Sequence, residues 1–325
     1  MLIRAASITA IAKRAAWAAL CAAFILQPVG AQSTNFKASA GSKSTAAEAA
    51  VGATTTSSGD VAKTLQTAAE ALGLARWSGV GGQRLPEVDV INTMEIWGSG
   101  TTYSPGPSSK PGEPGTAFKT EYHAALGYNP PAMRVEATRT ALGPAAQPGA
   151  APQHTIEVVR EKYAWNESEL GAGLVPGKGT VTPAVAAVNA RLLQLWTLPY
   201  GVIKAAIAAG GKTKVSTENG ATVLTFPLSG LLSDVMVKAT LDAQNEVAKV
   251  ETQTDNPAHA DLNTETEYSD YADHGEILTD VKSPGRIVLK QGGHPVLDLK
   301  IKTLDANNPY LIFPVPANVK TAAAQ

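Results

Sequence analysis

The sequence predicts an α+β fold: a large, curved antiparallel sheet, half-barrel-like, with a few helices packed on its concave face. Two observations predict it. Most segments after residue 87 alternate apolar and polar side chains, as strands with one solvent-exposed face do. Two apolar segments with helical spacing, between residues 183 and 209, separate two blocks of such strands. We expect these elements to form a single domain from residue 60 to residue 320.

Two segments should precede that domain. Residues 1–31 have the pattern of a secretory signal peptide, with a positively charged start, an apolar run from 15 to 26 and small residues at 29–31. Residues 32–59 are rich in Ala, Ser and Thr, which predicts a flexible linker. We therefore expect a bacterial protein that is periplasmic or secreted after the signal peptide is cleaved.

Local signals predict the first helix and the first strands of the domain. Asp60 is a good N-cap and Gly73 suits the position after a helix end, so a short helix is expected between them. Beyond this helix the apolar period changes to two. That period predicts strands within residues 87–97, 117–140 and 154–165.

The two helices between the strand blocks have clear boundary signals. Thr182 followed by Pro183 predicts a helix start, because proline suits the first helical position. Pro199 should end this helix, and a second helix over residues 200–209 should end at Gly210. Apolar side chains at helical spacing give each helix a face to bury.

The last third of the chain predicts a meander of strands. Asn219 followed by Gly220 is a strong signal for a two-residue hairpin. Further turns are expected at residues 243–245 and 291–293, each between two alternating runs. The alternation gives every strand one apolar and one polar face, as in an antiparallel sheet.

Charge, hydropathy and cysteine content exclude several protein classes. The 325 residues include 27 basic and 28 acidic side chains, so no strong positive field is available to bind nucleic acid. No apolar run after the signal peptide is long enough for a membrane-spanning helix. Cys21 is the only cysteine and lies in the signal peptide, which leaves the mature chain without disulfides, thiol catalysis or cysteine-bound metal.

No motif identifies a reaction. Gly98-Ser99-Gly100 is not a nucleophile elbow, and no two histidines have the spacing of a metal site. Two clusters offer oxygen ligands for a hard cation, but turn chemistry in solvated loops explains them better. These clusters are Asp255, His259 and Asp261, and Asp270, Asp273, His274 and Glu276. We predict no catalytic residue, no metal and no cofactor, and favour a non-enzymatic protein while leaving the enzyme question open.

Aromatic residues near the predicted helices and strand ends are the candidate ligand-binding residues. They suit a hydrophobic cavity between the sheet and the helices, which would hold a lipid, an acyl chain or another hydrophobic small molecule. The candidates are Trp97, Trp165, Trp196, Tyr200 and Ile203. The same residues also suit a packed core in a chain with 6% aromatic residues, and this alternative is favoured.

Several motifs, taken together and in order, resemble a known region. They are Tyr-Ala-Trp-Asn at 163–166, Tyr-Ser-Asp-Tyr at 268–271, Gln-Gly-Gly at 291–293 and Pro-Val-Leu-Asp-Leu at 295–299. This constellation resembles the N-terminal, non-catalytic region of exported bacterial metallo-β-lactamase-fold hydrolases. The expected architecture also resembles the periplasmic lipoprotein-carrier fold, a half-barrel that holds acyl chains under helices.

The resemblance implies two functions. The His-x-His-x-Asp-His metal motif of those hydrolases does not occur in the sequence, so the resemblance implies a free-standing relative of their accessory region. We predict an exported, non-enzymatic periplasmic module that binds a lipid or other hydrophobic ligand. The alternative is an accessory subunit that partners a separate metallo-β-lactamase-fold hydrolase.

Overall fold

The computed structural model describes residues 58–80, 83–88, 90–104, 110, 112–146, 149–273 and 281–324. All of them belong to the structural unit formed by residues 50–325. The predicted signal peptide and nearly all of the predicted linker, residues 1–57, lie outside the described residues.

Helices form where apolar side chains recur at helical spacing, although their starts differ from the expected ones. The first helix begins just before the predicted N-cap Asp60. The predicted helix start at Pro183 is wrong, because this residue ends an edge strand, where a proline is tolerated, and the helix begins only at Val188. The described α-helices are α1 (Ser58–Ala71), α2 (Val188–Thr197), α3 (Pro199–Ala209) and α4 (Ala317–Ala322).

The strands form where the apolar period is two. The first eight are β1 (Ala75–Val80), β2 (Gln83–Val88), β3 (Thr93–Ser104), β4 (Thr116–Tyr128), β5 (Pro131–Ala141), β6 (Gln153–Arg160), β7 (Tyr163–Glu167) and β8 (Val181–Pro183). The others in the described residues are β9 (Lys214–Glu218), β10 (Ala221–Pro227), β11 (Met236–Leu241), β12 (Val247–Gln253), β13 (Thr264–Ser269), β14 (Ala272–Asp273), β15 (Lys282–Ser283), β16 (Arg286–Gln291) and β17 (His294–Ala306).

The main sheet has 13 antiparallel strands in the order β8-β7-β6-β5-β4-β3-β17-β16-β13-β12-β11-β10-β9. The chain builds it outward from β3 to the edge at β8, crosses by α2 and α3, and returns inward from the other edge at β9. Strands β16 and β17 then join the two halves. This arrangement confirms the predicted α+β fold with a large antiparallel sheet, which remains open at both edges.

Helices α2 and α3 show that the main sheet is curved. Helix α2 contacts β5, β6 and β7, whereas α3 contacts β10, ten strand intervals from β7. A flat sheet would separate β7 from β10 by about 48 Å. The two helices extend only about 31 Å along their axes and are bent by 95°, so the sheet curls toward them. We call the sheet face that carries these helices the inner face and the opposite one the outer face.

Part of the curvature lies where β3 meets β17. A Cβ atom on Gly98 would lie 2.6 Å from the carbonyl oxygen of Lys300, and one on Gly100 would overlap the carbonyl oxygen of Asp298. The register of the two strands also shifts just after Ile301. Glycines and bulges of this kind let a sheet bend sharply. Glycine is therefore required where the first and last strands of the main sheet approach each other.

Apolar clusters cover both faces of the sheet around β4 to β7. On the inner face, side chains such as Leu126 and Met133 belong to one buried cluster with side chains of α1, α2 and α3. On the outer face, Phe313 and Val319 of the C-terminal segment, residues 307–324, join a second cluster that includes Trp165. The sequence predicted a solvent-exposed outer face, and this prediction is wrong for these strands because the C-terminal segment covers them.

Replacing Gly100 by alanine should destabilise the protein. The added methyl group overlaps the β17 backbone, and forced overpacking of this kind costs about 1–3 kcal/mol. Denaturant midpoints at equal m-value measure the loss. The matched control is Ser99→Ala, one residue away on the outer face, which should change stability by less than about 0.5 kcal/mol. Equal losses in both variants would contradict the close-approach explanation.

Candidate functional site

The bend between α2 and α3 gives the candidate site its shape. Leu198 is extended between the helices, with φ −60° and ψ 148°, and Pro199 begins α3. Gly201 lies so close to the α2 backbone that a Cβ atom there would overlap it. In the described part of the chain, no single helix is long and apolar enough to cross a membrane. The segments Val185–Thr197 and Pro199–Lys212 reach that length and composition only together, as a pair bent by 95°.

Arg191 anchors α2 to the edge of the sheet. Its Nη1 donates to the carbonyl oxygens of Val158 at 3.0 Å and Trp165 at 2.8 Å, and its Nη2 donates to Asn166 Oδ1 at 2.6 Å. The same Nη2 lies 3.2 Å from Glu157 Oε1. Burial lowers the pKa of Arg191, and Glu157 opposes that shift. Hydrogen bonds from a charged donor are stronger than neutral ones, so this end of the helix pair is held firmly.

Tyrosine hydroxyls anchor the bend and α3. Tyr268 Oη donates to the carbonyl oxygen of Thr197 at 2.6 Å, and Tyr200 Oη donates to the carbonyl oxygen of Lys282. Tyr122 Oη accepts from a glutamine of α2 at 3.2 Å. Burial raises the pKa of all three phenols above its ordinary value, so they remain neutral donors or acceptors.

Tyr128 and Lys204 place two polar groups close together within this apolar interior. Tyr128 lies at the end of β4 on the inner face, and its buried Oη makes no hydrogen bond with the described residues. Burial raises its pKa well above the ordinary value, although the Gly201 backbone N–H, which lies close to the oxygen without meeting hydrogen-bond geometry, opposes the shift. Lys204 Nζ of α3 lies 5.0 Å from the centre of the Tyr128 ring, and the Trp196 ring lies 6.0 Å away. Burial lowers the pKa of Lys204 to about 8.

The structure separates the five candidate residues taken from the sequence. Tyr200 and Ile203 are fully buried in the inner-face cluster, and the partly buried Trp196 packs against the same cluster. Trp165 belongs instead to the outer-face cluster, where its Nε1 donates to a glutamate at 2.9 Å. Trp97 also lies on the outer face, stacked on a histidine with ring centres 4.8 Å apart. Three of the five therefore lie together on the helix pair, in or against the inner-face cluster.

Sequence reasoning missed Tyr128, Lys204 and Arg191, although one of them, Lys204, had a detectable signal. Lys204 is the only charged residue between Arg191 and Lys212, within an otherwise apolar run. A charged side chain in such an apolar run is either buried or at the boundary of the core, and both positions indicate a candidate functional residue. Tyr128 had no signal, because its surroundings come from α3, which is distant in sequence.

A chain of polar side chains crosses the outer face. His123 Nε2 lies 3.1 Å from Glu95 Oε1, and His154 Nε2 lies 2.8 Å from Glu136 Oε1. Asn308 Nδ2 of the C-terminal segment donates to Glu95 Oε2 at 2.6 Å. These polar groups pair with one another and connect the C-terminal segment to the sheet. A structural role therefore explains them.

The acidic clusters found in the sequence do not form a metal site among the described residues. His259 pairs instead with Asp234, with 2.7 Å between Nδ1 and Oδ2, and its Nε2 lies 3.3 Å from Asn189. The hydrogen bond from His259 lowers the pKa of Asp234. In the part of the chain that the structure describes, no three His, Cys, Asp or Glu side chains are placed to hold a metal ion. His274 and Glu276 lie outside the described residues.

A depression of about 700 Å³ lies over the outer face of β10 to β16. Its charged side chains are already paired. The Glu265 carboxylate pairs with two lysines, with Lys290 Nζ and Lys249 Nζ each 2.9 Å from one of its oxygens. The hydrogen bonds from these lysines lower the pKa of Glu265. Lys238 pairs with Glu218 at 2.7 Å. Because these charges neutralise one another, the depression does not select a charged ligand.

Lys204 and the buried tyrosines predict an alkaline stability profile. Between pH 8 and 10.5 the unfolded chain holds a proton on Lys204 that the folded protein has released, so the free energy of unfolding should rise from pH 8 toward pH 10. Above pH 10 the unfolded tyrosines ionise while Tyr122, Tyr200 and Tyr268 stay protonated in the fold, so stability should fall. Urea unfolding from pH 7 to pH 11 measures both slopes.

In the variant Lys204→Met, the free energy of unfolding should no longer rise from pH 8 toward pH 10 but should still fall above pH 10. The control Lys162→Met removes an exposed lysine that lies 5.5 Å from the Tyr163 ring, and it should keep both. An unchanged rise in Lys204→Met would show that another group causes it.

Comparison with known proteins assigns no family to this chain. No protein-family model matches it, and no curated protein is similar enough to count as a match.

Proposed function

We propose that the protein is an exported, non-enzymatic periplasmic module that binds a hydrophobic ligand between the helix pair α2–α3 and the inner face. The observation that carries the proposal is the Tyr128 hydroxyl, buried without a hydrogen bond to the described residues. A buried polar group without a partner costs about 1–3 kcal/mol. A ligand whose polar group meets Tyr128, while its apolar part lies under the helices, would remove that cost.

The ligand reaches this place only if the helix pair moves. Tyr200 and Ile203 are buried against the sheet, with 1% and 0% of their surface exposed, and fill the interior of the described structure. The extended residue Leu198 joins two separate helices and supplies a hinge. Val185, just before α2, and Ile207, near the end of α3, expose apolar surface that a hydrophobic ligand would meet first.

Mass spectrometry of organic extracts from purified protein tests the proposal. We expect a lipid or another amphiphile to co-purify with the wild-type protein. Tyr128→Phe should retain at least about tenfold less of it, and the ligand-free variant should be more stable by about 1 kcal/mol because the unpaired hydroxyl is gone.

The matched control is Tyr268→Phe. Tyr268 is a buried tyrosine of the same cluster, but its hydroxyl is hydrogen-bonded within the fold. This variant should retain the ligand and lose about 1–3 kcal/mol of stability, because the carbonyl group of Thr197 loses its donor. The proposal is wrong if no amphiphile co-purifies, or if both variants retain it equally.

A second candidate function is docking to a separate metallo-β-lactamase-fold hydrolase. The observation that favours it is the exposed apolar surface of the C-terminal segment, where Tyr310 is 85% and Ile312 is 60% exposed. Large exposed apolar side chains are common at protein interfaces.

The docking proposal predicts that a hydrolase of this fold co-purifies from periplasmic extract and is identified by mass spectrometry. The double variant Tyr310→Ser with Ile312→Ser should lose it. Leu142→Ser, which changes an apolar residue of 41% exposure on a different segment, should retain it. Purification without such a hydrolase contradicts this candidate.

A further inference from the structure

A second depression lies on the inner face, at the end of β5 and the start of β6. Its volume is about 360 Å³, at the lower end of the range for small-molecule pockets. Register places Phe118 opposite Ala141 and Arg139 opposite Gln153. The remaining lining comes from Thr140 and from the loop between β5 and β6, namely Ala145, Ala146, Ala150 and Ala151. The walls are therefore mainly small and apolar.

Among the described residues that line this depression, Arg139 is the only charged one. It shares the inner face with Ala137 and Val135 because side chains alternate along β5. Its Nε is buried and has no hydrogen-bond partner in the described structure. Glu157 acts on it at longer range, but the Glu157 carboxylate lies 3.2 Å from Arg191. The guanidinium thus brings several N–H donors to a pocket whose described lining holds no acidic side chain.

This chemistry selects one ligand class. A guanidinium binds a planar carboxylate with two parallel hydrogen bonds. Methyl groups of the alanines and the Phe118 ring suit a short aliphatic chain. A phosphate dianion would leave much of its charge without a partner here, because a second cation is absent from the described lining. We propose that this depression binds the carboxylate of a small aliphatic acid, with Arg139 as its binding residue.

The proposed carboxylate site is separate from the hydrophobic-ligand site. Arg139 lies opposite Thr120 of β4, and Tyr128 lies eight residues farther along that strand. Eight residues of an antiparallel strand extend about 27 Å. A short acid bound at Arg139 therefore does not reach Tyr128, and either site can exist without the other.

Titration with hexanoate, hexanamide and inorganic phosphate tests the carboxylate site. Isothermal calorimetry should show that hexanoate binds the wild-type protein, whereas the neutral hexanamide and phosphate bind at least about tenfold more weakly. In NMR spectra with methyl-labelled alanine, hexanoate should shift the methyl signals of Ala141, Ala145, Ala146, Ala150 and Ala151. These measurements on the wild-type protein need no variant to fold.

Variants then assign the binding residue. Arg139→Gln should weaken hexanoate binding at least about tenfold. The control Arg134→Gln lies on the same strand but on the outer face, where its guanidinium lies 5.8 Å from the Phe313 ring, and it should bind hexanoate as the wild type does. Lipid retention should be the same in Arg139→Gln and the wild type, which separates this site from the proposed function.

Three results would overturn the inference. Equal binding of hexanoate and hexanamide would show that the charge is not recognised, and unchanged binding in Arg139→Gln would place the ligand elsewhere. Tighter binding of phosphate than of hexanoate would contradict the ligand class. Binding of hexanoate through Arg139 in a protein that retains no lipid would support the carboxylate site and contradict only the hydrophobic-ligand function.

Discussion

The two edge strands of the main sheet, β8 and β9, follow each other in the chain and are joined by α2 and α3. This connection contacts strands from both halves of the sheet on one face, so the sheet cannot flatten without losing those contacts. Curvature in turn lets distant strands share apolar partners. A single inner-face cluster therefore extends from Ala164 of β7 to Phe226 of β10 and includes side chains of α1, α2 and α3.

The two faces of the main sheet differ in how far their polar groups are paired. On the outer face, charged groups pair with one another, as Arg286 does by donating to both oxygens of Asp298 at 2.9 and 2.7 Å. Arg160 Nε, which is buried on that face without a hydrogen bond to the described residues, still lies 3.5 Å from the carboxylate of Glu161. On the inner face, Tyr128 Oη and Arg139 Nε are buried without a hydrogen-bond partner among the described residues. Polar groups that are already hydrogen-bonded to each other gain little free energy from a ligand. Buried polar groups without a hydrogen bond gain the most, because the ligand supplies the missing partner. Ligand chemistry is therefore expected on the inner face.

Local signals in the sequence predicted the elements whose causes are local. The hairpin at Asn219 and Gly220 is confirmed, as is the helix break at Pro199. The pairing of β17 with β3 had no local signal, because register between strands about 200 residues apart leaves no pattern in either. Trp165 shows the same limit. Alternation places it opposite Ala164, but only the C-terminal segment decides that its face is also covered.

The hydrogen bonds at the two ends of the helix pair differ in strength. Arg191 holds α2 with three charge-assisted bonds, each worth about 1.5–3 kcal/mol. The Tyr200 and Tyr268 hydroxyls hold α3 and the bend with neutral bonds worth about 0.5–1.5 kcal/mol each. The hydrogen bonds that a movement exposing the inner face must break are therefore weaker at α3 than at α2. Because α3 carries Lys204 over the Tyr128 ring, the interior should open first beside the unpaired Tyr128 hydroxyl.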